Sequence, residues 1–340
     1  MRKKKIENNI AAAEQIPLPV ATETKEKKPR KKRVKKIEVE DFTKVKGTHI
    51  EYFDERFYRL SLPNDIDPSW IESIPGNYIF PSDTQESFMD VYMPSVTTII
   101  GASQPNPGLM RWRGDVGNRE ADRRSHEALD KGSRIHKACE LLTNGWAVIY
   151  QNLRTGNITD KEIRSFARKY KVKTYVLHEQ EDMVQVSRYD RLIKTLQPEI
   201  KETESQVFNL KEVYAGTVDA LWNCKGGEYK LGRNKIVLND GLYIVDFKTG
   251  KWFQDNDYTI QLSAYAEAHS HKDKLQGVII IHLNAEIKTG IEGLKCYVFG
   301  MDYLKPYFEQ FRHLNAIYRF NNSDVIPRLY DIPQVLMWKK

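Results

Sequence analysis

The stretch Leu242-Tyr243-Ile244-Val245-Asp246-Phe247-Lys248-Thr249-Gly250 begins as an apolar strand and ends with a carboxylate and an ammonium group. Because strand side chains alternate between the faces of a sheet, Asp246 and Lys248 project from the same face, beside Ile244. A charge buried in this position is costly unless it is paired or holds a metal ion. The stretch therefore predicts a core strand of an α/β fold that carries a functional pair of charged side chains, followed by a turn at Thr249-Gly250.

Length and composition are typical of a soluble globular protein. The 340 residues are 40% apolar and 29% charged, which leaves room for one large domain or two ordinary ones. The sequence has no apolar run of about 18 residues and no secretory signal, so we expect no membrane segment. Cys139, Cys224 and Cys296 lie far apart, which suggests neither a disulfide framework nor a CxxC metal site. We expect an intracellular, cytoplasmic protein, or a nuclear one if the source is eukaryotic.

The net charge of +7 is concentrated at the N-terminus. Residues 1–40 hold 13 Lys and Arg against 6 Asp and Glu, so the remaining 300 residues are formally neutral, with 40 of each sign. The segment 27–36 is the most basic part. It can condense on phosphates or serve as a nuclear address, and the alternative is a solvated disordered segment without a partner.

Four segments are predicted along the chain: a disordered basic tail (1–40), a β-rich extension (41–93), a helical subdomain (94–200) and an α/β core (201–340). Apolar periodicity predicts helices over 95–100, 109–144, 159–170, 179–196, 258–269 and 302–320, with Ser95 as an N-cap. The stretch 109–144 is predicted to form two or three helical pieces, punctuated by Gly114, Gly117 and Gly132. It predicts strands over 88–93, 203–210, 214–224, 228–237, 242–247, 275–283 and 295–300, after one or two early strands within 46–60.

A second carboxylate interrupts an apolar strand upstream of the first. Asp219 lies within the predicted strand 214–224, with a hairpin's length of sequence before Asp246. Two carboxylates on adjacent strands can hold one Mg²⁺, a hard cation that prefers oxygen ligands. The alternative is a structural aspartate that caps the turn or pairs with an arginine.

The helix after the Asp246 strand carries an amide and a phenol on one face. Gln261 and Tyr265 are four residues apart, so they share a helical face near the same end of the strand. Such groups suit contacts to phosphate or bases, although Tyr265 can equally be a packed amphipathic residue. His136, within a predicted helix, and Glu204, at the start of a strand, are further candidates for which a structural role is the alternative.

These elements occur in a fixed order along the chain: Gly132-x-x-x-His136, Glu204, Gly216-x-x-Asp219, Asp246-x-Lys248 with Thr249-Gly250, and Gln261-x-x-x-Tyr265. In this combination the chain resembles the RecB-like branch of the PD-(D/E)XK nuclease superfamily. The segment Pro94–Ile100 followed by Leu109-x-x-Trp112 is similar to the entry segment of phage and mitochondrial-type exonucleases of that branch. The resemblance covers about residues 94–285.

The resemblance implies a restriction-endonuclease-like core, with a mixed central sheet flanked by helices, preceded by a helical subdomain that contributes His136. It also implies a site for Mg²⁺ or Mn²⁺. Asp219 and Asp246 would be the acidic ligands, with the Phe247 carbonyl and His136 as further ligands. The iron–sulfur members of the branch need four clustered cysteines, so we expect no such cluster in this chain.

The resemblance further implies metal-dependent hydrolysis of phosphodiester bonds. Lys248 would orient or activate the attacking water, and Gln261 and Tyr265 would position Lys248 or its strand. Predicted substrate contacts are Trp112, Arg113, Arg134, Glu204 and Thr249.

We expect an exonuclease that acts on DNA single strands or ends, with the segment 27–36 as an auxiliary contact. The expected setting is phage-type DNA replication, recombination or repair, with partner proteins from those processes. The alternative is a nuclease fold retained as an inactive DNA-binding or scaffold protein. Endonuclease activity and a preference for RNA both remain open at this point.

Overall fold

A computed structural model describes residues 48–52, 55–82, 87–104, 106–231, 234–251, 253, 255–285 and 293–327. The predicted tail, with its basic segment 27–36, lies outside the described residues. Within them the fold is mixed α/β, as the sequence predicts. Among these residues no helix combines the length and the apolar character needed to cross a membrane.

The described chain forms thirteen strands and seven α-helices. The strands are β1 (Thr48–Tyr52), β2 (Glu55–Pro63), β3 (Ile79–Pro81), β4 (Phe88–Pro94), β5 (Ala147–Tyr150), β6 (Thr174–Leu177), β7 (Glu199–Asn209), β8 (Tyr214–Cys224), β9 (Gly227–Leu231), β10 (Asn234–Leu238), β11 (Gly241–Lys248), β12 (Leu275–His282) and β13 (Lys295–Gly300). The helices are α1 (Val96–Ser103), α2 (Pro107–Val116), α3 (Asn118–Thr143), α4 (Asp160–Tyr170), α5 (Gln180–Leu196), α6 (Asp255–Ala268) and α7 (Met301–Asn321).

A five-stranded sheet forms the centre of the fold, in the order β13-β12-β11-β8-β7. β11 and β12 are parallel and α6 connects them, whereas the other neighbouring strands are antiparallel. Parallel neighbours require such a crossover, because a tight turn cannot join them. The strand that carries Asp246 and Lys248 is therefore central, between β8 and β12.

Helices cover both faces of the central sheet. On one face α3 and α5 pack against Trp222 and Val245, and on the other α1, α6 and α7 pack against Ile244 and Ile280. Burial on both faces explains why β11 and β12 are almost continuously apolar in sequence. A charged residue such as Asp246 is an exception within this interior.

The N-terminal strands form a separate four-stranded sheet in the order β1-β2-β4-β3. Its side chains Phe57, Tyr58 and Met93 share an apolar cluster with Phe208 and Ala215 of the central sheet. β4 leads directly into α1, and Ser95 caps that helix by accepting a hydrogen bond from the Thr98 N–H at 2.9 Å. The predicted N-cap is confirmed, and the extension is packed onto the core beside β7 and β8.

The segment 94–200 is helical with one addition that the sequence analysis missed. The predicted helical stretch 109–144 is divided once, into α2 and α3 at Gly117, whose φ of 83° is unfavourable for other residues. β5 and β6 form a short parallel ladder between the helices. Each has only four residues, too short for alternation to stand out from the flanking helical pattern. The predicted domain limits at 93 and 200 stay predictions.

Candidate active site

A cavity of about 780 Å³ lies where the pairing of β8 with β11 ends, beyond the pair Val245 and Ala220. Parts of α3, β7, β8, β11 and α6 line it, although these elements are far apart in sequence. Nine of the predicted site residues line this cavity: His136, Glu204, Asp219, Asp246, Phe247, Lys248, Thr249, Gln261 and Tyr265. The fold therefore brings together side chains that the sequence could only place in order.

Asp219 bridges the two strands where their ladder stops. Its Oδ2 accepts a hydrogen bond from the Phe247 backbone N–H at 2.6 Å. On the other side of β11, the Lys248 carbonyl accepts from the Leu283 N–H at 2.8 Å. Because successive residues of a strand direct their backbone groups to opposite neighbours, the Phe247 carbonyl faces Asp219 as its N–H does. The backbone at Phe247 thus presents an oxygen on the side of the carboxylate.

His136 reaches Asp219 from α3. Its Nδ1 lies 3.4 Å from Asp219 Oδ1, and its ring meets the Phe247 ring edge-on at 5.8 Å between centroids. Burial alone would lower the pKa of His136, but the Asp219 carboxylate raises it to about 9. Burial alone would raise the pKa of Asp219, yet His136, the Phe247 N–H and Lys248 hold it below its ordinary value. The two groups form an ion pair when no metal ion is bound.

Glu204 lies directly opposite Asp219. Thr203 pairs with Ala220 and Ser205 with Val218, which leaves Glu204 facing Asp219 across the two strands. Glu204 has a left-handed backbone with φ of 49°, a conformation that costs about 1 kcal/mol or more for a residue with a side chain. Glu204 is exposed at the cavity, yet partial burial of its carboxyl group, and then the charge of Asp219, raises its pKa to about 7. Two carboxylates are therefore held together at the expense of local backbone and electrostatic energy.

His136, Glu204 and Asp219 form what we call the acidic cluster. One ligand atom of each lies within 4.8 Å of the others. Ligands of one Mg²⁺ lie about 2.1 Å from the ion, so shifts of about 1 Å or less would bring three such atoms to one centre. Carboxylate oxygens suit Mg²⁺ or Mn²⁺, and the one imidazole nitrogen favours the transition-metal ion of the two. The pKa of Glu204 is raised first by burial and then by the charge of Asp219, and a nearby cation would act in the opposite direction, so the donor set fits a divalent ion.

Asp246 and Lys248 project from the same face of β11, as the alternation predicts. Lys248 Nζ lies 2.8 Å from Asp246 Oδ2, so the two side chains form an ion pair. Among the described residues the Lys248 ammonium is the one group recorded as a partner of this buried oxygen. Burial raises the pKa of Asp246 more than Lys248 lowers it. Asp246 can therefore offer an oxygen to a cation beside the acidic cluster.

Lys248 is held by a chain of hydrogen bonds from α6. Its Nζ donates to Gln261 Oε1 at 3.1 Å, and Gln261 Nε2 donates to the Tyr265 hydroxyl at 2.9 Å. Its ammonium also lies 4.3 Å from the centre of the Tyr258 ring, within the range of a cation–π contact. Burial alone would lower the pKa of Lys248, but Asp246 raises it above its ordinary value. We call Lys248, Gln261 and Tyr265 the lysine chain. The Lys248 ammonium is held in one position by this chain and stays protonated.

The glycines of two predicted motifs allow close packing at the site. A Cβ at Gly216 would overlap Cε1 of the Tyr265 ring. A Cβ at Gly132 would lie 3.3 Å from Thr249 Oγ1. Gly216 therefore makes room on β8 for the last member of the lysine chain, and Gly132 lets α3 approach the turn that follows β11.

Three predicted substrate contacts lie outside the cavity lining, on α2 and α3: Trp112, Arg113 and Arg134. Arg113 pairs with Asp122 at 2.8 Å, and Arg134 Nε donates to the buried Asp182 at 2.9 Å. These two arginines are already engaged with carboxylates. Their predicted contact with a substrate stays a prediction.

The cavity also contains residues that the sequence analysis did not single out, among them Tyr58, Thr97, Thr217 and Tyr258. Tyr58 comes from the N-terminal sheet, and its hydroxyl lies 2.9 Å from Thr217 Oγ1. Nothing in the local sequence marks Tyr58, because its position depends on how the extension packs. Tyr258 could have been recognised from the sequence, because it lies three residues before Gln261 and therefore on the same helical face.

The sequence was also compared with known proteins. No protein-family model matches the chain, and no curated protein matches it at a significant level.

Proposed function

We propose that the chain is a Mg²⁺- or Mn²⁺-dependent nuclease with a PD-(D/E)XK type of core, hydrolysing DNA phosphodiester bonds. One observation supports this above the others: the acidic cluster and the Asp246–Lys248 pair line the same cavity. The core order β13-β12-β11-β8-β7, with helices on both faces, is consistent with the fold that the motifs resemble. Asp219 and Asp246 lie on the neighbouring central strands β8 and β11, which supports such a core.

Each group of the site has a role in this reaction. Asp219, Glu204 and His136 would hold the metal ion, and Asp246 Oδ2 and the Phe247 carbonyl offer further oxygens to it. When bound, the ion polarises a phosphoryl oxygen and acidifies water. Lys248, fixed by Gln261, places a positive charge where negative charge develops on the phosphate and can orient the attacking water. The proton that His136 carries in the free protein would leave on metal binding.

The charge balance of the cavity favours catalysis over simple DNA binding. Four carboxylates line it, at Glu140, Glu204, Asp219 and Asp246, against two lysines, Lys137 and Lys248, so the lining would repel a phosphate when no metal ion is present. A binding or scaffold protein gains nothing from such a cost, whereas a metal-dependent enzyme needs it. The inactive-scaffold alternative therefore has less support than the enzyme.

For the substrate we propose a DNA single strand or strand end, and exonuclease rather than endonuclease action. The cavity is of ligand size, which suits a few nucleotides of one strand. The setting would be DNA replication, recombination or repair of the phage type, together with partner proteins of those processes. The basic segment 27–36 would add affinity for phosphates.

The test is an assay of the purified full chain on linear and circular DNA, single- and double-stranded, with Mg²⁺ or Mn²⁺. We expect degradation of linear substrates that needs the metal and is lost in Asp246→Asn, while DNA binding persists. Cleavage of circles would indicate an endonuclease. Degradation by Asp246→Asn at the wild-type rate would remove Asp246 from the reaction, and DNA binding without cleavage by the wild type would favour the scaffold.

A further inference from the structure

A row of aromatic rings leads away from the candidate active site along one face of the molecule. We call it the aromatic stripe; it consists of Tyr258, Phe253, Tyr297, Phe299, Tyr303 and Tyr307. Phe253 lies 5.2 Å from Tyr258 and 4.2 Å from Tyr297 between ring centroids. Further on, Phe299 stacks on Tyr303 at 5.0 Å, and Tyr303 lies 5.3 Å from Tyr307.

The stripe begins inside the cavity. Tyr258 lines the cavity, and its ring lies 4.3 Å from the ammonium of Lys248. The stripe continues on β13, the edge strand of the central sheet. Tyr297 and Phe299 are two residues apart on this strand, so both lie on the face covered by α6 and α7. It ends on the first two turns of α7. A chain bound along these rings would have one end beside Lys248.

The rings of the stripe are not buried as core aromatics are. Phe311, farther along α7, is fully buried, whereas Tyr303 exposes 47% of its surface and the other five rings are half-buried. The hydroxyls of Tyr303 and Tyr307 lie 3.0 Å apart, which holds these two side chains in place at the surface. An ordered, partly exposed row of rings, in which Tyr303 is the most exposed, offers aromatic surface to a ligand at little entropic cost.

The charges beside the stripe indicate which part of a ligand it would contact. Lys295 precedes Tyr297 on the same face of β13 at the cavity end, and Lys305 pairs with Asp302 at 2.7 Å on α7. Asp255, at the start of α6, is close enough to influence both Tyr297 and Tyr303. The stripe is therefore mixed in charge rather than basic. It suits stacking of bases, with few contacts to phosphates.

We propose that the aromatic stripe binds the single-stranded part of a DNA substrate by base stacking and leads it to or from the cavity. This inference rests on the proposed function, because continuity with the cavity is what selects nucleic acid as the ligand. Base stacking on aromatic side chains tolerates any sequence, which suits an enzyme that degrades strands processively or from ends. A protein partner on the same rings is the competing outcome.

The test measures binding of a fluorescent oligothymidylate of about 20 nucleotides to the full chain, without divalent metal, so that catalysis does not enter. Tyr303→Ala should weaken binding roughly 5- to 150-fold, the range for loss of one stacked base. Tyr303→Phe keeps the ring and should bind as the wild type does. Phe320→Ala, at an exposed aromatic residue near the end of α7, is the matched control and should also leave binding unchanged.

A second measurement locates the contact. The same oligonucleotide carrying 5-iodouracil should photocrosslink to peptides of β13 and the first turns of α7. Equal binding by Tyr303→Ala and the wild type, or crosslinks confined to α3, would overturn the stripe. So would binding that Phe320→Ala weakens as much as Tyr303→Ala does.

The two proposals can fail separately. If the metal-dependent assay shows degradation but Tyr303→Ala matches the wild type on oligonucleotides of about 20 and about 4 nucleotides alike, the stripe is wrong and the nuclease stands. If the wild type binds through the stripe but degrades no DNA with Mg²⁺ or Mn²⁺, the nuclease is wrong and the stripe stands. Where both hold, Tyr303→Ala should slow degradation of the longer substrate only.

Discussion

The acidic cluster and the lysine chain lie side by side in one cavity, but they differ in how well their charged groups are compensated by neighbours. In the acidic cluster, Glu204 and Asp219 face each other from adjacent strands, and their nearest positive group is one histidine. In the lysine chain, Lys248 and Gln261 donate in sequence to acceptors on α6. The negative charge of the acidic cluster is therefore only partly balanced, whereas in the lysine chain both Lys248 and Gln261 have a hydrogen-bond acceptor.

This difference indicates which half of the site needs a bound ion to balance its charge. Crowded carboxylates are costly in a folded protein unless protons or a cation offset their charge. A hydrogen-bonded, protonated lysine needs nothing further. We infer that the metal ion completes the acidic cluster, while the lysine chain is preorganised before substrate or metal arrives. Substitutions in the two halves should therefore have different consequences.

The largest effect is expected at Asp219. Asp219→Asn keeps an oxygen for the Phe247 N–H but removes the charge that a metal ion needs. Loss of several kcal/mol of metal-derived stabilisation should lower the rate about 10³-fold. Melting curves with and without Mn²⁺ provide the check, because the wild type should be stabilised by the ion and the variant should not. Equal stabilisation of both proteins by Mn²⁺ would contradict the assignment.

Lys248→Ala should also inactivate the protein, but for a different reason. Loss of the positive charge at the phosphate should reduce the rate about 10²- to 10³-fold. Since the acidic cluster is intact, Mn²⁺ should still raise the melting temperature as it does in the wild type. The pair of variants separates metal binding from transition-state stabilisation. A Lys248→Ala protein that no longer responds to Mn²⁺ would show that the two halves are not independent.

Gly216→Ala should disturb the lysine chain without touching a charged group. The added methyl group would overlap the Tyr265 ring, so we expect a loss of about 1–3 kcal/mol in the free energy of unfolding. Displacement of Tyr265 should also lower kcat by roughly tenfold, the effect of a supporting residue. Gly101→Ala is the matched control, since a Cβ there meets no atom within 4 Å.

The Gly216 prediction has a rescue test. Gly216→Ala combined with Tyr265→Leu removes the overlap, so it should recover stability but not kcat, because the hydroxyl that receives Gln261 is missing. Full recovery of both quantities would mean that Tyr265 only fills space.

The extent to which the sequence predicted the site depends on how each residue is held. Asp246, Lys248, Gln261 and Tyr265 could be placed because strand alternation and helical spacing act over a few residues. The grouping of Glu204 with His136 and Asp219 could not be predicted, since it depends on the register of β7 against β8. Substrate contact by Glu204 stays a prediction, and its carboxylate also lies within 4.8 Å of ligand atoms of His136 and Asp219, where it could hold a metal ion.

The fold shows the same division between local and distant causes. β11, β12 and α6 followed from apolar runs and periodicity, and the break between α2 and α3 falls at Gly117, one of three glycines that the sequence offered as breaks. The contribution of Tyr58 to the cavity could not be predicted from its neighbours in sequence, because it requires the N-terminal sheet to pack on β7 and β8. Tertiary packing, rather than propensity, determined the part of the site that the sequence missed.

The smallest effect, and the clearest contrast between the two halves, is expected from Glu204→Gln. Removing one of two facing carboxylates should stabilise the metal-free protein by about 0.5 kcal/mol, within the range of mild surface changes. The same change should weaken Mn²⁺ binding, so the variant would melt higher than the wild type without metal and gain less from its addition. Gln261→Leu, in the lysine chain, should instead lower the melting temperature with or without metal, because Lys248 Nζ loses its acceptor on α6. If Glu204→Gln lowered the melting temperature of the metal-free protein, the carboxylate would be a structural partner rather than part of an incomplete site.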